Sequence, residues 1–244
     1  MQSKSGTPAF EMLQSKTREQ AAYDVLREAI VAGRWASESP LVGSRLAEEL
    51  GVSRITIANA LKRLAGEGFV RSTPHKGAEV APLEPAAVRE IYLMRAALEA
   101  LSAREAASRV SADDLADLER RNEEIDAMAK AGADIRDIRS LDRQFHERLR
   151  AISDMPLLAR TLVNLADQCE GYRARLLDQA SLVRPTGDRH GPVLESLRTK
   201  DGEAAAVAMR LHIVEGLEAL LGLIDNQPKT QARRPDMTSA RASR

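Results

Sequence analysis

A single cysteine, Cys169, stands in the 244 residues, which excludes an intramolecular disulfide and a zinc cluster built on cysteines. Cys169 itself reads as a small buried helix residue. Aromatic side chains are almost as scarce: three Phe, three Tyr and one Trp. Leu, Ala, Ile and Val must therefore fill the core, which suits helices better than β-sandwiches, whose strands favour β-branched and aromatic residues. No run of 18 or more apolar residues occurs, so a membrane span is not expected. The opening MQSKSGTPAFEMLQSK lacks the apolar heart of a signal peptide. A soluble, cytoplasmic protein is the expectation. Net charge is missing too, because 36 basic residues balance 36 acidic ones. Any affinity for a polyanion must then be local. What remains is a chain 43% apolar and 30% charged, long enough for one large domain or two modest ones.

The pattern along the chain favours two domains. Residues 1–16 are weakly patterned, and 226–244 are rich in Pro, Ser and Arg; both are expected to be disordered tails, the second basic. Residues 17–83 hold three short helical patterns and then a β-hairpin pattern, whereas residues 84–225 read as helix after helix. Between them, Ala81-Pro82-Leu83-Glu84-Pro85 interrupts regular structure with two prolines. A helix is expected over 85–109, with Val88, Ile91, Tyr92, Arg95, Leu98 and Leu101 near helical spacing. Ser111 and Asp114 form a capping box for the next. Further helices are expected over 135–153, 156–181, 188–198 and 202–224. The fold class is mainly α: a winged helix-turn-helix with a small β-hairpin wing, then an antiparallel helical bundle.

The segment LVGSRLAEELGVSRITIANALKRLAGEGFV, residues 41–70, is the most informative. Leu46, Ala47 and Leu50 line one helix, and Gly51 can end it in the left-handed conformation. Ser53 is a good N-cap for a second helix, whose buried face is Ile57, Ala60, Leu61 and Leu64. Two helices joined by a tight Gly turn make a helix-turn-helix. Its candidate DNA contacts are Ser44 and Arg45 in the first helix, and Ser53, Arg54, Thr56, Asn59 and Arg63 in the second. Arg forks onto guanine, and Asn and Thr read base edges. His75, Lys76 and Gly77 sit at the tip of the hairpin, where a wing meets phosphates or the minor groove.

Residues 17–83 resemble the DNA-binding domain of the GntR family of bacterial regulators. The resemblance rests on Leu46-Ala47, Leu50-Gly51-Val52-Ser53-Arg54 and Glu67-Gly68-Phe69-Val70. It implies a homodimer on a double-stranded operator. One departure stands out. Most members have Val-Arg-Glu-Ala-Leu where this chain has Ile57-Ala58-Asn59-Ala60-Leu61. The usual DNA-contacting Arg is missing at Ala58, so the operator preference should depart from the family norm.

Three of the four histidines fall in the second region. Asp142 and His146 are four residues apart, so they share a helix face with Ile138, Phe145 and Leu149 nearby. His190 precedes Val193, Leu194 and Leu197, and His212 sits mid-helix. Imidazoles from three helices and one carboxylate, all aimed at a bundle core, suit a divalent transition metal such as zinc, nickel, manganese or iron. Spacing alone leaves hydrogen-bonded core histidines as an equal reading. Residues 84–225 resemble the all-helical, FCD-type ligand-binding domain of the FadR subgroup, through Arg95, Leu98-Glu99, Asp142-Arg-Gln-Phe-His146, His190 and His212. The resemblance implies a metal held by Asp142, His146, His190 and His212, and a small carboxylate effector coordinated to it. Arg95, Arg139 and Arg143 are the expected acid partners, with Arg173 and Arg175 as further candidates.

The reading is a ligand-responsive transcriptional regulator, a repressor released by a small carboxylate. The helix over 85–109 is the expected transmitter, because it follows the linker and carries Arg95. A metalloenzyme using the Asp/His3 site and a DNA-binding protein without effector are the alternatives. No further carboxylate is identifiable as a general base, which counts against the enzyme.

Overall fold

The computed structural model describes residues 17–73, 77–82, 84–179 and 190–225. The expected tails over 1–16 and 226–244, and the wing-tip residues His75 and Lys76, lie outside the described residues. Three helices come first: α1 (Arg18–Val31), α2 (Gly43–Leu50) and α3 (Arg54–Gly66). They pack around Leu26, Ile57, Ala60 and Leu64, all within 1% of full burial. Gly51 ends α2 at φ 63°, the left-handed cap that a side chain would strain. Ser53 caps α3 by accepting the Thr56 N–H at 3.1 Å. The wing is larger than the expected hairpin. Strands β2 (Val70–Thr73) and β3 (Gly77–Val80) pair antiparallel, and β1 (Pro40–Leu41) adds to the other edge of β3. A two-residue strand carries too little periodicity to be read from sequence.

Six helices follow among the described residues: α4 (Pro85–Arg109), α5 (Ala112–Ala131), α6 (Ile135–Ile152), α7 (Pro156–Gln179), α8 (Gly191–Arg198) and α9 (Gly202–Asp225). Pro85 opens α4 at a position where its missing N–H costs no hydrogen bond. The Ser111–Asp114 capping box opens α5 as expected. α4 and α9 pack along their length, and Gly202 lets the start of α9 approach the Arg104 backbone of α4. The core between the helices is built on Val88, Leu118, Phe145, Leu149, Cys169, Leu197 and Met209. Leu101, expected at helical spacing with Val88 and Ile91, is 38% exposed instead, while Ala100 and Ala103 are buried. No helix among the described residues is long and apolar enough to cross a membrane.

Candidate functional site

The outward surface of the helix-turn-helix is sorted by local bonding. Ser44 and Arg45 are exposed at the start of α2, and Arg45 pairs with Glu49 at 2.8 Å. On α3, Arg54, Asn59, Lys62 and Arg63 are exposed. Two of them are held back against α1. Asn59 donates to Glu19 at 3.1 Å. Arg63 lies 3.6 Å over the Tyr23 ring and donates to Gln20 and Glu67. The Thr56 and Ser53 hydroxyls bond one another at 2.8 Å. Gly77 opens β3 at φ 89°, a conformation that favours glycine.

The second site lies inside the helical bundle. Asp142 and His146 project from α6, His190 stands immediately before α8, and His212 comes from the middle of α9. Their donor atoms all lie within 4.8 Å of one another, the one such group among the described residues. His190 is the helix cap rather than a first-turn residue; Pro192 at the second helical position places the helix start after it. Its ring stacks on Phe145 at 4.0 Å, and its Nδ1 meets Asn122 Oδ1 at 3.0 Å. The opposite ring nitrogen, Nε2, lies toward the cluster, 3.4 Å from Asp142 Oδ1. His146 and His212 face each other with Nε2 atoms 3.2 Å apart.

The electrostatics suit cation binding. Burial pushes the His146 imidazole well below its ordinary value, so it stays neutral, the form that ligates metal. Burial raises the Asp142 carboxyl, but the contact with His190 and the nearness of His146 and His212 outweigh it and hold it well below the usual carboxylate range. Donors about 2.1 Å from one ion stand about 3.4 Å apart in a tetrahedron and about 4.2 Å apart across an octahedron, so the widest pair need close by only about 0.6–1.4 Å. The donor set therefore fits a divalent transition metal.

A cavity of about 30 Å³ adjoins Asp142 and His146 and is ringed by Arg95, Arg139, Arg143, Arg150 and Arg173. It has room for a water or two, not for an acid of several carbons. Most of these cations already hold a carboxylate. Arg150 chelates Glu99, Arg139 pairs with Glu170, and Arg143 contacts Glu147 at 2.9 Å and Asp167 at 2.7 Å. Arg95 is buried and 3.8 Å from Glu99, and its Nε has no hydrogen-bond partner among the described residues. The side chain of Arg175 lies outside the described residues.

Asp167 was not anticipated from sequence. It is buried on α7, walls the cavity, and also contacts Arg27 of α1 at 2.6 Å. The Arg27 guanidinium in turn lies 5.0 Å over the Phe69 ring. Beside this contact Gly68, at φ 87°, comes so near α7 that a Cβ there would stand 3.0 Å from the Gln168 side chain. A crevice of about 310 Å³ between α1 and the bundle is bounded by Arg27, Arg143 and Asp167. A lone Asp amid polar neighbours has no sequence signal for such a role; only the tertiary packing brings the two arginines to it.

Comparison with known proteins agrees with this architecture. Residues 90–215 match the FCD domain, and residues 18–80 match the bacterial regulatory proteins of the gntR family. The HTH-type transcriptional repressor RspR of Escherichia coli (strain K12) is 29% identical over 201 residues, spanning 82% of this chain and 88% of that protein. The Nta operon transcriptional regulator of Aminobacter aminovorans is 29% identical over 179 residues, 73% of this chain and 83% of its own. Among solved structures, E. coli McbR/YncC aligns with a TM-score of 0.71 at 21% identity, covering 85% of this chain and 99% of that one, a likeness of fold.

Proposed function

The chain belongs to the FCD-domain family and carries a gntR-family DNA-binding domain, so it is a transcriptional regulator and not an enzyme; from that premise we propose that a small carboxylate bound at a metal site in the bundle controls operator binding. In this reading residues 17–83 are the DNA-binding unit and 84–225 the effector unit. The name of the relative RspR favours repression as the sign. Asp142, His146, His190 and His212 would hold the metal, which when bound supplies an electrophilic anchor for the acid. Arg95, with its unpartnered buried Nε, is the first-choice acid partner, and Arg139 and Arg143 would exchange Glu170 and Asp167 for the incoming carboxylate.

The observation carrying this reading is that the four donors converge beside an arginine-ringed cavity whose wall, Asp167, also holds Arg27 of the DNA-binding unit. A cavity of about 30 Å³ must expand to admit an acid. Expansion that draws Arg143 from Asp167 changes the partner of Arg27. A ligand shifts an equilibrium only by its differential affinity for the two states, and this contact supplies the difference. A homodimer on an inverted repeat completes the reading. The exposed Leu93, Met94 and Leu101 of α4, with Val207 and Leu211 of α9, support one on that face.

Metal content tests the site. After desalting, the wild-type chain should retain about one divalent metal, and His146→Ala and His212→Ala should each lose it together with the thermal stability it contributes. Equal metal per chain in all three proteins would defeat the proposal.

A further inference from the structure

The apolar residues on the outward face of the recognition helix α3 carry an inference about what it reads. Ile55 is 74% exposed, among the most exposed of the large apolar side chains. It is the second residue of α3, and the N-terminal part of such a helix meets base edges. Ala58, three residues on and therefore on the same face, is exposed as well. Arg54 and Lys62 flank the pair.

The polar residues that sequence nominated as base readers are largely spoken for. Asn59 is bonded to Glu19, Arg63 is stacked on Tyr23 and bonded to Gln20 and Glu67, and the Thr56 hydroxyl is bonded to Ser53. What α3 offers the major groove is thus an isoleucine and an alanine methyl between two cations. Of the groups on base edges there, the one that is apolar is the C5-methyl of thymine. A buried alkyl contact with it is favourable, whereas a base edge offering only donors and acceptors would be desolvated by Ile55 without a partner.

We propose that Ile55, supported by Ala58, is a specificity-determining residue that reads a thymine methyl in each operator half-site, beside the base contacted by Arg54. The inference rests on the DNA-binding reading of α3. It places a thymine at a fixed step in the half-site and makes its methyl group, rather than its hydrogen-bonding edge, the recognised feature.

The test uses the full chain and synthetic duplexes. Preferred sites are selected from a random duplex library, and each thymine of the selected site is then replaced singly by deoxyuridine, which removes the methyl and leaves base pairing intact. One thymine per half-site should show a loss of about threefold to fivefold, the size for one methyl leaving an apolar contact. Ile55→Ala, a change at an exposed position that leaves the fold intact, should bind thymine and deoxyuridine at that step within about twofold of each other. Equal binding of every deoxyuridine duplex by the wild type overturns the inference, as does a methyl preference that Ile55→Ala retains in full. Failure to enrich any duplex overturns the DNA-binding reading itself, and the inference with it.

Discussion

Replacing Asp167 by asparagine removes one negative charge and keeps the shape of the side chain, at the point where the two units meet. The carboxylate is 1% exposed, and its partners Arg27 and Arg143 are 21% and 42% exposed. A desolvated hydrogen bond to a charged group contributes about 1.5–3 kcal/mol, and a surface ion pair about 0–1 kcal/mol. The Arg27 contact belongs between those limits and the Arg143 contact near the lower one. Asp167→Asn should therefore cost about 1–3 kcal/mol, lowering the melting temperature by roughly 3–10 °C. Arg27→Met keeps an unbranched stem on Phe69 while removing the charge, and the double variant should cost about 1 kcal/mol less than the sum of the two. The sharper readout is function. A coupling of about 1–3 kcal/mol in the wild type would shift operator affinity roughly 5- to 150-fold when the acid binds. In Asp167→Asn that shift should shrink to less than about threefold, with metal content unchanged. A fluorescence-anisotropy titration of operator with and without acid measures it. Strict additivity of the two substitutions, together with an undiminished acid response in Asp167→Asn, would refute the argument that this carboxylate joins the units.

Two further outcomes follow from the same geometry. Arg95→Ala should still bind operator and retain metal, yet lose most of its acid response; an unaltered acid titration would remove Arg95 from the pocket. Burial pushes the Cys169 thiol up to about 11, and burial with the hydrogen bond to Glu67 pushes Tyr23 up to about 12. Both groups hold their protons more tightly when folded, so their contribution to stability is full below about pH 9 and is lost as pH rises through 11 to 12. Melting temperatures across pH 8–12 check this, and iodoacetamide should label Cys169 rapidly only after unfolding.

Much of the fold was legible because helix ends carry chemical marks. Pro85, Gly51, Ser53 and the Ser111–Asp114 pair each appear where the backbone needs them. Strand β1 escaped because its two residues add no period, and its pairing with Ala78 and Glu79 is a tertiary event. The histidine cluster was legible in residue type and in its inward face, but not in the contacts that fix His190. His190 enters through Phe145 stacking and Asn122, contacts that depend on three helices meeting. The orientation of Asn59 and Arg63 was hidden for a related reason: helical periodicity puts both on the polar side, and only the nearness of α1 turns them to Glu19 and Tyr23. Asp167 was invisible, since nothing local distinguishes a buried bridging carboxylate from a solvated one.

The central claim is that an acid acts through the metal site to change DNA affinity. Its most direct test is an operator titration of the full chain against small mono-, di- and tricarboxylates, run in parallel on metal-loaded and chelator-stripped protein. The account predicts that at least one acid changes operator affinity by roughly 5- to 150-fold on loaded protein and by less than about twofold on stripped protein. An acid that shifts affinity equally on both would contradict it, leaving the metal a structural part of the bundle with no share in the response.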